Sequence, residues 1–261
     1  MIRLATYNIR KGVGLDWRRR PERIVQVLAE LRPDIVALQE ADRRFGERAA
    51  VLDPDALAEQ TGLAPVRVDE GGAGLGWHGN VVLLSARAQA LNVAPTALPS
   101  LEPRGALIVD ALVEGRRLRL AAAHLGLRPA DRRRQAAALL AQLESRADGS
   151  AEALMGDLNE WRAAGGCLTV LERRLRPAPP LPSFHASAPI APLDRVLLGR
   201  GLRLAAHGVH RSAAALRASD HLPVWADVAF EDAPEDDDES AHEAAAEGAR
   251  HAASPVAGGG T

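Results

Sequence analysis

A chain of 261 residues with 47% hydrophobic side chains can bury a sizeable core, and its single cysteine, Cys167, excludes an intrachain disulfide and a thiol-rich zinc site. Residues 231–261 hold nine carboxylates and one arginine, which leaves 31 basic and 25 acidic residues in 1–230, a net charge of about +6. This mildly basic body suits a phosphate-bearing substrate but falls short of a dedicated nucleic-acid coat.

Short apolar runs bounded by Gly, Pro or charged residues predict strands along the body. In chain order they cover 4–9, 34–39, 80–84, 107–113, 118–124, 153–155, 195–198 and 224–230. Amphipathic spacing predicts helices over 21–31 and 129–144, each with proline in its first turn, and a third helix over 160–175 around Gly165-Gly166.

Two pairs of strands have links of hairpin length. We expect 81–84 to pair with 88–93, and 107–113 to pair with 118–123 across Glu114-Gly115. Antiparallel pairs mixed with helices predict a layered α/β sandwich rather than a doubly wound parallel fold.

The end of the chain differs from the body in composition. Residues 231–261 are acidic, rich in Ala and end in glycines, and we expect a disordered tail, with a docked autoinhibitory segment as the alternative. No apolar region precedes the first strand and no apolar run has membrane-spanning length. We therefore expect a cytoplasmic monomer with no membrane span, whose folded domain covers 1–230.

Polar residues stand where the predicted strands begin or end. Gly156-Asp157-Leu158-Asn159 follows the apolar run 153–155, and such a string is equally typical of an Asx turn that closes a strand. A single site explains the set better, because its members have complementary chemistry: Asn8, Glu40, His124, Asp157 with Asn159, Asp194, and Asp220 with His221.

These residue types permit hydrolysis of a phosphate ester. A hard cation, Mg²⁺ or Mn²⁺, takes carboxylate and amide oxygens, for which Glu40 is suited and Asn8 and Asp220 are further candidates. A carboxylate outside the metal shell, such as Asp157, can activate the attacking water. No G-x-S-x-G motif or partnered cysteine predicts a covalent nucleophile.

A histidine and an amide complete this chemistry. His221 can hydrogen-bond the developing phosphorane charge, with Asp194 or Asp220 as the carboxylate that orients it. Asn159 can donate a hydrogen bond to a phosphate oxygen.

Seven motifs resemble, in their order, those of the endonuclease/exonuclease/phosphatase superfamily. They are TYNIRKG (6–12), DIVALQE (34–40), HGNVVLLS (78–85), AAHLGLRPADRRRQ (122–135), LMGDLNE (154–160), SFHASAPIAPLDRVLL (183–198) and SDHLPVWADV (219–228). The resemblance implies a four-layer α/β sandwich, with two mixed, mainly antiparallel sheets packed face to face and helices outside.

The resemblance also implies roles for individual residues. It assigns Asn8, Glu40 and Asp220 to the metal side, Asp157 to water activation, Asn159 to phosphate orientation, His221 with Asp194 to the phosphoryl group, His124 to the leaving group, and Arg104 and Asn80 to substrate contact. Many members carry a large aromatic residue after the second-half aspartate, where this chain has Arg195. We expect that arginine to lie on the surface, with contact to the substrate as the alternative.

The expected activity is metal-dependent hydrolysis of a phosphodiester, as in a nuclease. A phosphomonoester, a nucleotide or a phospholipid head group remains an alternative substrate. A non-catalytic phosphate-binding or scaffold protein is the rival class, since a fold alone does not imply an activity.

Overall fold

The computed structural model describes residues 1–43, 49–68, 74–100 and 102–231. Except for Glu231, the acidic tail whose disorder we predicted lies outside the described residues. Among the described helices, none combines the length and the apolar character that a membrane span requires.

The strands of the described part are β1 Ile2–Asn8, β2 Ile35–Gln39, β3 Ala64–Pro65, β4 Val81–Leu84, β5 Ala88–Leu98, β6 Arg104–Val113, β7 Arg116–His124, β8 Ala151–Asp157, β9 Arg176–Pro177, β10 Asp194–Leu198, β11 Leu202–Val209 and β12 Val224–Phe230. The helices there are α1 Pro21–Leu31, α2 Pro54–Thr61, α3 Pro129–Ser145, α4 Leu168–Leu171 and α5 Ala215–Ala218, and a 3-10 turn covers Arg10–Gly12. The predicted helices over 21–31 and 129–144 are thus confirmed as α1 and α3.

The strands form two mixed six-stranded sheets. The first has the order β11-β12-β1-β2-β4-β3 and the second β5-β6-β7-β8-β10-β9. Only the pairs β1 with β2 and β7 with β8 are parallel within these sheets. The predicted hairpin of β6 and β7 is confirmed.

Three apolar clusters separate the layers. Residues of both sheets, such as Leu4 and Leu120, share the core between the sheets. Leu28 of α1 belongs to a cluster on the outer face of the first sheet, and Leu139 of α3 to a cluster on the outer face of the second. The fold is therefore a four-layer α/β sandwich, as expected, with Cys167 fully buried in the outer cluster of the second sheet.

The predicted pairing of 81–84 with 88–93 is wrong. β4 pairs with β2 and β3 in the first sheet, whereas β5 pairs with β6 at the edge of the second. The three residues between them carry the chain from one sheet to the other. β4 is buried along its whole length, whereas most residues of β5 are half-exposed or exposed.

The predicted helix over 160–175 is also wrong, since only the short α4 is helical there. Gly165 and Gly166 adopt positive φ values of 88° and 61°. The buried carboxylate of Glu160 accepts backbone hydrogen bonds from Arg162 at 3.4 Å and from Cys167 at 3.4 Å. The segment folds around this carboxylate because side-chain acceptors compete with helical backbone bonding.

Strand alternation directs the polar ends into the space between the sheets. Successive side chains of a strand face opposite sides, and Ile2 and Leu4 of β1 lie in the core between the sheets. Asn8 lies an even number of positions after Leu4 and therefore faces the same side of β1. For the same reason His124 faces the side of Leu120, and Asp157 faces the side of Ala153. The site therefore forms at one end of the inter-sheet core.

Candidate active site

Three neighbouring strands of the second sheet carry a row of polar side chains. The register pairs His124 of β7 with Asp157 of β8, and Asp157 with Asp194 of β10. Gly156 permits the close approach of the strands, because a Cβ atom there would lie 1.8 Å from the carbonyl oxygen of Ala123. The glycine before Asp157 thus sets this row at the strand ends.

Asp157 lies at the centre of the site and is almost fully buried. Its Oδ2 accepts a hydrogen bond from Nδ2 of Asn8 at 2.9 Å and lies 3.5 Å from Nε2 of His124 and 3.8 Å from Nε2 of His221. Its Oδ1 accepts the backbone N–H of Asn159 at 2.9 Å. The Asx turn considered for this segment is therefore present, and it fixes the orientation of the carboxylate.

His221 and Asp194 form a buried pair. Nδ1 of His221 lies 2.8 Å from Oδ2 of Asp194, which also accepts a hydrogen bond from the Ser183 hydroxyl at 2.6 Å. Burial lowers the pKa of His221, but Asp194, with Asp157 and Asp220, outweighs burial and raises that pKa to about 10. His221 is therefore an imidazolium at neutral pH, with Nε2–H on the side of Asp157.

His124 has the opposite protonation behaviour. Burial is the main cause that lowers its pKa to about 4, against the charge of Asp157, and the charge of Arg104 lowers it further. Arg104 is mostly buried and pairs with Glu102 at 3.4 Å. The two histidines beside Asp157 therefore differ, since one is charged and the other neutral at pH 7.

The first sheet contributes residues from the ends of β1 and β2. Glu40 directly follows β2 with a positive φ of 53°, and its carboxylate pairs with the Lys11 ammonium group. Burial raises the pKa of Glu40, but the hydrogen bonds from Lys11 and Asn8 and the neighbouring positive charges together outweigh burial, so the pKa lies below its ordinary value. Asp220 pairs with Arg10, with 3.2 Å between Oδ2 and Nε.

Two predicted amide residues are engaged in bracing contacts. Nδ2 of Asn159 donates to the carbonyl oxygen of Leu125 at 2.9 Å, which holds the loop after β7. Asn80 is fully buried, and its Nδ2 donates to the carbonyl oxygen of Gly105 at 2.9 Å, so it joins the first sheet to the second. Its role as a substrate contact stays a prediction.

The donor set fits a divalent cation. Ligand atoms of Asp157, Asp194 and His221 lie within 4.8 Å of one another, as a carboxylate/histidine metal site requires. Oδ1 of Asp194 is buried and has no hydrogen-bond partner in the described part of the chain. Four carboxylates lie in the site, on Glu40, Asp157, Asp194 and Asp220, and such a set of acidic oxygens suits a hard cation.

Sequence reasoning missed several residues of the site. Arg10 and Lys11 lie in TYNIRKG, two and three residues after Asn8, and this proximity in the sequence was an available signal. The hydroxyl of Ser219 donates to the carbonyl oxygen of Asn8 at 2.7 Å and so joins the end of β1 to the segment of His221. Apart from its motif, nothing in the sequence indicated a role for Ser183, because its contact with Asp194 forms only when the loop is folded.

The expected surface position of Arg195 is wrong. Only 2% of this residue is exposed, and its guanidinium donates to the carbonyl oxygens of Pro192 and, at 2.7 Å, of Arg162. Burial lowers its pKa relative to an ordinary arginine. Arg195 therefore fixes the segment after Asn159 against β10 rather than contacting solvent.

The family is shown by the sequence. A model of the endonuclease/exonuclease/phosphatase family matches residues 5–221. The chain belongs to this family, whose members hydrolyse phosphate esters and generally depend on a divalent metal. Among curated protein sequences, none matches the chain significantly.

Solved structures share the fold. A conserved protein of unknown function from Enterococcus faecalis is 20% identical, with a TM-score of 0.72 over 88% of this chain and 100% of that one. An endonuclease/exonuclease/phosphatase from Beutenbergia cavernae is 24% identical, with a TM-score of 0.67 over 90% and 72%. A mannosyl-6-phosphatase from Bacteroides thetaiotaomicron is 15% identical, with a TM-score of 0.70 over 88% and 100%.

Proposed function

We propose that this protein is a Mg²⁺- or Mn²⁺-dependent phosphodiesterase that hydrolyses its substrate by in-line attack of an activated water. The observation that carries the proposal is the arrangement around Asp157, whose Oδ2 lies within 4 Å of a charged histidine and of a neutral one. A base beside a positioned acid is the arrangement that general acid–base hydrolysis needs.

Each residue has a defined task in this proposal. Asp157, held by Asn8 and by the backbone of Asn159, accepts the proton of the attacking water. The imidazolium of His221 donates a hydrogen bond from Nε2 to a phosphoryl oxygen and stabilises its growing charge, while Asp194 keeps the ring protonated.

Three further residues complete the substrate site. His124 is neutral and can accept or donate one hydrogen bond at the leaving oxygen. The amide of Asn159 retains one N–H beyond its bond to Leu125 for the phosphate. Arg104 supplies positive charge close to His124, where an anionic substrate gains from it.

Glu40 and Asn8 would hold the metal, with Asp220 beside them. The Lys11 ammonium group, on a flexible side chain that is 30% exposed, is the present counter-ion of Glu40 and can move away when a cation binds. When bound, the metal offsets charge on the phosphoryl oxygens and stabilises the leaving oxygen. The alternative position for the metal is between Asp157 and Asp194. A metal there would require His221 to lose a proton.

The test is hydrolysis of bis(p-nitrophenyl) phosphate with Mg²⁺, Mn²⁺ or EDTA. We expect metal-dependent turnover that falls about 10²- to 10⁴-fold in Asp157→Asn, because the base is lost while the side-chain shape is kept. Asp227→Asn is the matched control, since this aspartate pairs with Arg3 at the other end of β1. Full activity of Asp157→Asn, or equal activity in EDTA, refutes the proposal.

Calorimetry with Mg²⁺ separates the two metal positions. Glu40→Gln weakens binding if the metal lies on Glu40, whereas unchanged binding assigns the metal to the Asp157–Asp194 pair. A panel of DNA, RNA, mannose 6-phosphate and a phospholipid then compares the substrate classes, and a steep salt dependence identifies a nucleic acid.

A further inference from the structure

Three rings form a series that leads from the buried histidine to the surface. The centroid of Phe184 lies 4.9 Å from that of His221, and the centroid of Trp161 lies 6.0 Å from that of Phe184. Trp161 is 57% exposed, in a chain with only 3% aromatic residues. We refer to Trp161, Phe184 and His221 as the aromatic series.

The backbone under Trp161 is fixed on both sides. The preceding residue, Glu160, is 3% exposed and pairs with Arg132 at 3.3 Å. The carbonyl oxygen of the following residue, Arg162, accepts the hydrogen bond from the buried Arg195. Because the segment is anchored and the indole packs against Phe184, Trp161 loses little further freedom when a ligand binds, which is the property of a preorganised binding surface.

The remaining large apolar side chains that are exposed include two others on segments of the site. Leu127 follows His124 on the loop after β7 and is 67% exposed, and Arg132 binds its carbonyl oxygen. Ile190 is 77% exposed, and its N–H donates to the carbonyl oxygen of Phe184 at 2.8 Å. Two exposed apolar side chains besides Trp161 thus lie on the segments that carry His124 and Phe184.

We propose that Trp161 is a specificity residue that stacks on the nucleobase of a substrate whose phosphate lies at His221. This inference rests on the proposed function, which it deepens by naming a nucleotide-type substrate. The two centroid distances place the indole no more than about 11 Å from the His221 ring. A pentose between phosphate and base spans such a gap, whereas the ring of a hexose 6-phosphate lies one methylene from its phosphate.

Stacking on the indole has a measurable strength. Base–aromatic stacking changes affinity by about 5-fold to 150-fold per base and tolerates any base, because each has a π-face. We therefore compare thymidine 5′-monophosphate with 2-deoxyribose 5-phosphate, which has the same phosphate and sugar but no base. Calorimetry on the full chain with Mg²⁺ measures both dissociation constants.

The wild type binds the nucleotide at least 5-fold more tightly than the sugar phosphate, Trp161→Ala abolishes the difference, and Trp161→Phe retains most of it. Trp17→Ala is the matched control, because Trp17 is 77% exposed but has the Arg10 guanidinium over its ring at 4.4 Å. This variant keeps the preference.

Three results overturn the inference: equal binding of the two compounds, binding of neither, or an equal loss for both in Trp161→Ala. A stronger effect of Trp161→Ala on mannose 6-phosphate also overturns it and points to a sugar at the same surface. Hydrolysis of bis(p-nitrophenyl) phosphate by the wild type separates the two failures, since it is retained if only the nucleobase inference is wrong and absent if the proposed function is wrong.

Discussion

Replacing Asp194 with asparagine removes the charge nearest to His221 while keeping the shape of the side chain. The distance of 2.8 Å between Oδ2 and Nδ1 and the near-complete burial of both residues make this a pair that water does not screen. The rise in the pKa of His221 from 6.5 to about 10 corresponds to about 5 kcal/mol in favour of the imidazolium in the folded state. Of the three carboxylates that raise this pKa, Asp194 contributes most.

We expect Asp194→Asn to lower the free energy of unfolding at pH 7 by about 3 kcal/mol, because a buried charge loses its partner. Because the pKa of His221 is higher in the folded state than in the unfolded state, its protonation stabilises the fold. This stabilisation is complete below the unfolded pKa of 6.5 and is lost as the pH rises through about 10. The difference between wild type and variant should therefore be largest near pH 6 and shrink towards pH 10.

Urea unfolding at several pH values measures the difference, and NMR of the imidazole in EDTA follows the titration of His221. The control is Asp227→Asn, whose half-exposed pair with Arg3 should contribute less than about 1 kcal/mol. A wild-type His221 that titrates near 6.5, or a variant as stable as the wild type at pH 6, refutes the reasoning.

Two further predictions concern burial around the site. Because the pKa of His124 is lowered in the folded state, its neutral form stabilises the fold above pH 6.5, and about 3 kcal/mol of this stability is lost as the pH falls to about 4. His124→Gln should remove this part of the pH dependence of the free energy of unfolding, measured with urea. The same pH dependence in wild type and variant would contradict the prediction. Arg195→Met should destabilise the protein by about 1–3 kcal/mol and speed proteolysis after Trp161, because the carbonyl oxygen of Arg162 loses its donor; unchanged proteolysis would show that the segment is held elsewhere.

The sequence predicts the layers and the polar strand ends because both follow from local periodicity. Alternation along β1 and β8 places Asn8 and Asp157 on the faces that bury Leu4 and Met155, and no long-range information is needed for that inference. The approach of the two sheets then brings Nδ2 of Asn8 within 2.9 Å of Asp157. This contact joins residues 149 positions apart, and only the motif order pointed to it.

The errors have a common physical origin in long-range contacts. The link between β4 and β5 has hairpin length, but it joins two sheets. Arg87 within it pairs with Asp34, directly before β2, and with Glu114, in the turn between β6 and β7. A charged side chain such as that of Arg195 is predicted to lie on the surface unless the carbonyl oxygens that it binds are known. Those carbonyl partners cannot be inferred from the amino-acid composition.

The contact of Lys11 with Glu40 has a practical consequence. Lys11 is the only lysine of the chain, so its ammonium group is the single side-chain amine that an amine-reactive reagent can label. A cation that takes its place on Glu40 leaves the ammonium group without that partner. The labelling rate of one peptide in a mass spectrum would then read the occupancy of the site directly, with no substrate present.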